Sequence, residues 1–212
     1  MKTRIYSLLA LWLTAVCALG QGTLIYDQQS ASSDVYGGES PSIIQNNEPL
    51  GQSFTPTLSS IGFIRLETED GFYLNSIGAT LSVNLWAGSI EGSGTLLGST
   101  IPVFLPGGFG FLPGGSGTGG FTNFFFSTPI VVTPGETYYF QPVVQSGDRW
   151  AIFPSFNYPP YSGGTAYYNG VASPARDLWF REGTYIVPEP SSSWLVLLGS
   201  GVLIYVRKRL KR

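Results

Sequence analysis

Residues 77–86 run Ile77-Gly78-Ala79-Thr80-Leu81-Ser82-Val83-Asn84-Leu85-Trp86. Ile77, Ala79, Leu81, Val83 and Leu85 alternate with Thr80, Ser82 and Asn84, and in an extended chain successive side chains point to opposite faces. The stretch therefore predicts a strand with one face on a core and the other in water, as in an antiparallel sheet. Similar β-branched and aromatic content predicts strands at 23–26, 51–55, 62–67, 96–104, 121–127 and 130–132, and again at 138–144, 150–153, 165–168 and 178–180.

Between Gln21 and Val187 no long stretch repeats apolar residues at helical spacing. Pro134-Gly135, Asp148, Gly163-Gly164 and Asn169-Gly170 punctuate the later strands as turn signals. With 28 Gly, 15 Pro and 15% aromatic residues, the composition suits short strands joined by turns. The expected fold is all-β: an antiparallel two-sheet β-sandwich, jelly-roll-like, over residues 21–187. Pro106 to Gly120 is Gly-rich, with Phe109, Phe111 and Leu112 embedded, and reads as a long, mobile surface loop.

Charge is distributed unevenly. Over residues 21–187 four basic residues, Arg65, Arg149, Arg176 and Arg181, stand against twelve acidic ones, a net −8. A nucleic-acid partner is disfavoured on that ground, because phosphate binding needs a positive surface, and none is expected.

The remaining basic residues lie at the two ends. Residues 1–20 have a basic start at Lys2 and Arg4, an apolar run from Ile5 to Val16, and small residues around Leu19 in Ala18-Leu19-Gly20. This is the layout of a signal peptide cleaved before Gln21. Val16 and Thr14 depart from the small residue and the Leu that a lipoprotein signal wants ahead of Cys17. Cleavage after Gly20 discards that one Cys, so the mature domain has no disulfide.

The other end, 188–212, has three parts. Pro188-Glu189-Pro190 is held extended by two residues that fix φ and lack an N–H, which leaves the backbone open to a processing enzyme. Ser191-Ser192-Ser193 supplies N-cap residues for an apolar helix over 194–206. That helix is about 20 Å long, short of the roughly 30 Å hydrocarbon core, and Trp194 at one interface and snorkelling basic stems at the other ease the mismatch. Arg207, Lys208, Arg209, Lys211 and Arg212 act as membrane-stop charges that stay on the cytoplasmic side and leave the body outside.

This order of motif, short apolar helix and basic stop resembles the PEP-CTERM sorting signal of exported proteins from Gram-negative bacteria that make extracellular polysaccharide. Gly51-Gln52-Ser53-Phe54, Val83-Asn84-Leu85-Trp86, Pro134-Gly135-Glu136-Thr137-Tyr138-Tyr139, Gly163-Gly164-Thr165-Ala166-Tyr167 and Leu178-Trp179-Phe180-Arg181 also look like the β-sandwich bodies that accompany this tail. The resemblance implies Sec-type export, transient anchoring in the inner membrane, and processing by an exosortase that releases or transfers the body to the cell surface or matrix, as in a biofilm.

The chain contains no His. A Ser-His-Asp triad, a His-based metal site and imidazole catalysis are excluded, so no catalytic residue and no cofactor is assigned. Glu67-Thr68-Glu69-Asp70-Gly71 reads as a plain acidic turn, since it lacks the spacing of an EF-hand calcium loop, and no metal site is assigned. The leading expectation is a non-enzymatic structural or adhesive surface protein. The alternative is a carbohydrate-binding module on whose platform Trp150, Tyr158, Tyr161 and Trp179 stack on polysaccharide rings. Third comes a glycan-active enzyme using a carboxylate pair, although nothing in the acidic spacing nominates one.

Overall fold

The computed structural model describes residues 22–34, 40–90, 92–112, 117–155 and 160–186. The expected signal helix within 1–20, the sorting tail 188–212 and its helix 194–206 lie outside the described residues. No helix among the described residues is long and apolar enough to cross a membrane. Ile25–Thr184 forms one compact unit; residues 22–24 and 185–186 fall in a separate unit and are described only as strand ends.

The described residues build two sheets, the all-β antiparallel sandwich expected from the alternation at 79–85. The first contains β1 (Thr23–Gln29), β2 (Ser42–Ile43), β4 (Ser60–Asp70), β8 (Gly120–Val131), β10 (Trp150–Ile152) and β13 (Phe180–Ile186). The second contains β3 (Gly51–Phe54), β5 (Ala79–Ala87), β6 (Thr95–Ser99), β7 (Val103–Leu105), β9 (Tyr138–Gly147), β11 (Ala166–Tyr168) and β12 (Val171–Ser173).

Each sheet is organised around one long strand. In the first, β8 runs along one side of β4, while the other side is shared in line by β13, opposite residues 63–66, and β10, opposite 68–70. In the second, β9 lines one side of β5, and β6 and β7 share the other, opposite 84–87 and 79–81. The Asn169-Gly170 signal becomes a two-residue hairpin between β11 and β12, with Tyr168 opposite Val171. Both turn residues have positive φ, +52° and +76°, the requirement that favours Asn-Gly in such a turn.

Ala79, Leu81, Val83 and Leu85 are fully buried and face Ile64, Leu66, Phe124 and Phe180 across one continuous core. Phe54, Phe140 and Phe180 form its centre, with ring centroids 5.3–6.2 Å apart. Burying each such side chain contributes about 1.5–3 kcal/mol, which makes this aromatic contact between sheets a principal source of cohesion.

Several expectations are corrected. Ile77 precedes β5 and is exposed. The segment 96–104 divides into β6 and β7: Thr100 N–H bonds to Val83, Ile101 N–H turns to Phe125 on the other sheet, and Pro102 has no N–H to offer. Conversely, 121–127 and 130–132 join as β8, because a register irregularity opposite residues 61–63 takes up the residues around Pro129, and among the described strands β8 is laddered to β4 alone.

The acidic segment from Glu67 to Asp70 is not a turn but the buried end of β4, enclosed by β8, β10 and the glycine-rich segment. That segment, in its described parts 106–112 and 117–120, is packed rather than free. Asp70 N–H donates to Phe109 O at 2.9 Å, Gly108 N–H donates to Asp70 Oδ2 at 2.7 Å, and the Phe109 ring lies 6.2 Å from that of Trp150 at the core edge.

Candidate functional site

Side chains two apart on β4 share a face. Ile64 and Leu66 point into the core, so Phe63, Arg65, Glu67 and Glu69 point out of the sandwich. This outer face is covered. Trp179, Phe153, Ala31 and Phe121 form a second, small apolar cluster on it, and Phe121 is the register partner of Glu67.

Two guanidinium groups organise one half of the face. Arg65 and Arg181 both pair with Asp34, the latter at 3.2 Å, and Arg65 Nη1 donates to Asn123 Oδ1 at 2.9 Å. Arg181 Nε donates to Ala31 O at 2.8 Å, while its guanidinium lies 5.2 Å from the Trp179 ring and 5.3 Å from that of Tyr26. Planar charge stacked on aromatic faces keeps Arg181 favourable despite burial.

The other half holds acids without such partners. Glu67 is fully buried, and neither of its carboxylate oxygens has a hydrogen-bond partner; Glu69 is 8% exposed and its Oε2 likewise has none. Burial, reinforced by Glu69 and Asp34, pushes the Glu67 carboxyl up to about 8. Burial and neighbouring Asp70 push Glu69 up to about 7. Over them lies the glycine segment: a Cβ on Gly117 would sit 2.9 Å from Glu69 Oε2, and one on Gly119 would strike Glu67 Oε1. Gly119, at φ +63°, lies in the left-handed region that favours glycine, and a side chain at either position would displace a carboxylate end.

A further polar group lies between the sheets. Glu182 is fully buried, with Gln28 N–H donating to its Oε1 at 3.2 Å and Oε2 unpartnered; burial, with Asp27 nearby, pushes its carboxyl up to about 8. Tyr161 Oη donates to Gln28 Oε1 at 2.9 Å and is raised to about 12, mainly by burial. Asp177 accepts from Gln52 Nε2 at 2.9 Å and from Tyr161 N–H at 2.7 Å, and burial still holds it above its ordinary range. Burial raises Asp27 as well, but hydrogen bonds from Thr57 and Leu58 bring it below its ordinary value. Most of these contacts are structural: Gln52 also accepts from Leu178 N–H at 2.9 Å and so ties β3 to the approach of β13.

Two of the four residues expected to form a sugar platform are buried. Trp150 is wholly buried in the main core and Trp179 is 2% exposed beneath Arg181, so neither offers a ring face to a ligand. Tyr161 is half-buried and packs edge-on against Phe180 at 5.3 Å, and Tyr158 lies outside the described residues. Two sheets with faces to fill consume the aromatics that composition alone leaves unassigned. Pro188, Glu189, Pro190, Arg207, Lys208, Arg209, Lys211 and Arg212 also lie outside the described residues.

Sequence reading missed the Arg65–Asp34–Arg181 network and the buried acids. The available signal was the spacing Arg65-x-Glu67-x-Glu69, which puts charges on one strand face where isolated alternation predicts solvent. A shallow, open depression of about 520 Å³ beside the β11–β12 hairpin is lined by Ser42, Asn47, Tyr168, Asn169, Ala172 and Arg176 among others, and brings together no reactive set.

The family model of the PEP-CTERM protein-sorting motif matches residues 187–210. The match covers the tail alone and supports a PEP-CTERM protein: an exported chain with a membrane-anchoring sorting signal that exosortase processes. No curated protein matches the chain.

Proposed function

We propose that this protein, exported and sorted through its PEP-CTERM tail, is a non-enzymatic structural or adhesive component of the cell surface or extracellular matrix. It reaches that place by Sec-type export and a transient stay in the inner membrane. The observation that carries the reading is the sorting match at 187–210, following a β-sandwich body. The absence of His from the chain and the burial of Glu67, Glu69, Asp177 and Glu182 within packing support a non-enzymatic role. The carbohydrate-binding reading loses its support with Trp150 and Trp179 buried.

The test is the intact mass of the protein recovered from envelope and medium of its host, with and without exosortase. A species beginning at Gln21 and ending near Pro188 to Pro190 only when the enzyme is present is the expected result. Retention of Arg212 in both strains would replace the matrix role by permanent membrane anchoring. Turnover of any glycan in a polysaccharide panel would overturn the non-enzymatic assignment.

A further inference from the structure

We propose that Glu67 and Glu69, beneath the backbone of Gly117 to Gly119, form a binding site for a calcium ion. The two carboxylates share the outer face of β4, and both are more than nine-tenths buried. Three of their four oxygens, Glu67 Oε1, Glu67 Oε2 and Glu69 Oε2, have no hydrogen-bond partner. Oε1 of Glu67 and Oε2 of Glu69 are aimed at the same short stretch, as the positions a Cβ would take on Gly119 and Gly117 show.

An ionised carboxylate in such a place needs a positive partner. Arg65 and Arg181, the basic residues described on this face, pair with Asp34 and, for Arg65, Asn123 rather than with Glu67 or Glu69, and Arg181 Nη2 makes no hydrogen bond to either carboxylate. A proton is a poor substitute. It turns an oxygen into an O–H donor that needs an acceptor of its own, and neither oxygen of Glu67 has a hydrogen-bond partner where it stands.

The chemistry favours a hard cation that accepts carboxylate and carbonyl oxygens in flexible numbers, which is calcium. Among the described residues no three His, Cys, Asp or Glu side chains converge, so the remaining ligands would be glycine-segment carbonyls and water. Such a sparse site is weak, in the range of about 10⁻⁴–10⁻³ M found for extracellular modules, and suits an exported protein. Asp70 is not a ligand; its oxygens accept from the Phe72 and Gly108 N–H groups and hold the segment in place.

The test uses the full chain in detergent, stripped with EDTA and melted with and without 5 mM CaCl₂, alongside terbium luminescence excited through tryptophan. Calcium is expected to raise the melting temperature by a few degrees, and calcium to compete away the terbium signal. In Glu67→Gln/Glu69→Gln both responses are expected to vanish, because the amides can neither neutralise the ion nor bind it as carboxylates do. Should the double variant not fold, Glu69→Gln alone is expected to weaken terbium binding at least tenfold. The proposal is overturned if wild type shows no calcium shift, if 5 mM MgCl₂ gives an equal one, or if the variants respond like wild type.

Discussion

Glu182 offers a direct test of how the space between the sheets is held together. Its carboxyl titrates near 8 in the folded chain because it is buried, with Asp27 nearby, against 4.5 when free. The folded state therefore keeps a proton that the unfolded state releases. Below pH 4.5 the two states are alike; between pH 4.5 and 8 stability falls as pH rises; above 8 the loss is complete. At about 1.4 kcal/mol per pH unit the full difference approaches about 5 kcal/mol, and relaxation around the charge reduces what is measured to about 2–4 kcal/mol. Glu182→Gln keeps the acceptor for Gln28 N–H and removes the titration. Urea unfolding followed by tryptophan fluorescence at pH 5, 6, 7 and 8, in EDTA throughout so that Glu67 and Glu69 contribute alike to both proteins, reads the difference. The variant should match wild type near pH 5 and exceed it by about 2–4 kcal/mol at pH 8. Parallel profiles would refute the reasoning, and a variant that is less stable at every pH would mean that the carboxylate is compensated by a group the packing does not reveal.

Phe180→Ala removes the ring that touches Phe54, Phe140 and Tyr161 at the junction of both sheets, and should cost about 3–5 kcal/mol by chemical denaturation with little change in m-value. Asp34→Ala leaves Arg181 buried without its counter-ion; since Asp34 is 39% exposed, the expected loss is about 1–3 kcal/mol, and Asp34→Ala/Arg181→Leu should recover part of it in a double-mutant cycle.

The parts of the fold legible in sequence are those where local pattern and tertiary position agree. The alternation at 79–85 survives because one face of β5 meets the core along its whole length, and Asn169-Gly170 marks a turn because its positive φ values admit few other pairs. Where neighbours decide, the pattern misleads. Glu67 to Asp70 looks like a turn because four polar residues in a row ordinarily seek water, yet β8, β10 and the glycine segment enclose them. Trp150 and Trp179 look equally suited to a platform or a core, since an aromatic ring carries no mark of which side it will face until both sheets are placed. The glycines of 117–119 signal flexibility in sequence and close approach in structure. The sorting tail is legible from the order of its residues alone, which is what the family model matches.

One arrangement bears on mechanical load. The strand that leads to the sorting tail, β13, is not at the rim of its sheet but lies between β1 and β4. Over Phe180–Gly183 the strand is paired with β4 on one flank and lies beside β1 on the other, so a pull that reaches this stretch works against both neighbours. In a protein that carries its sorting signal after this strand, Phe180–Gly183 is thus held from two sides.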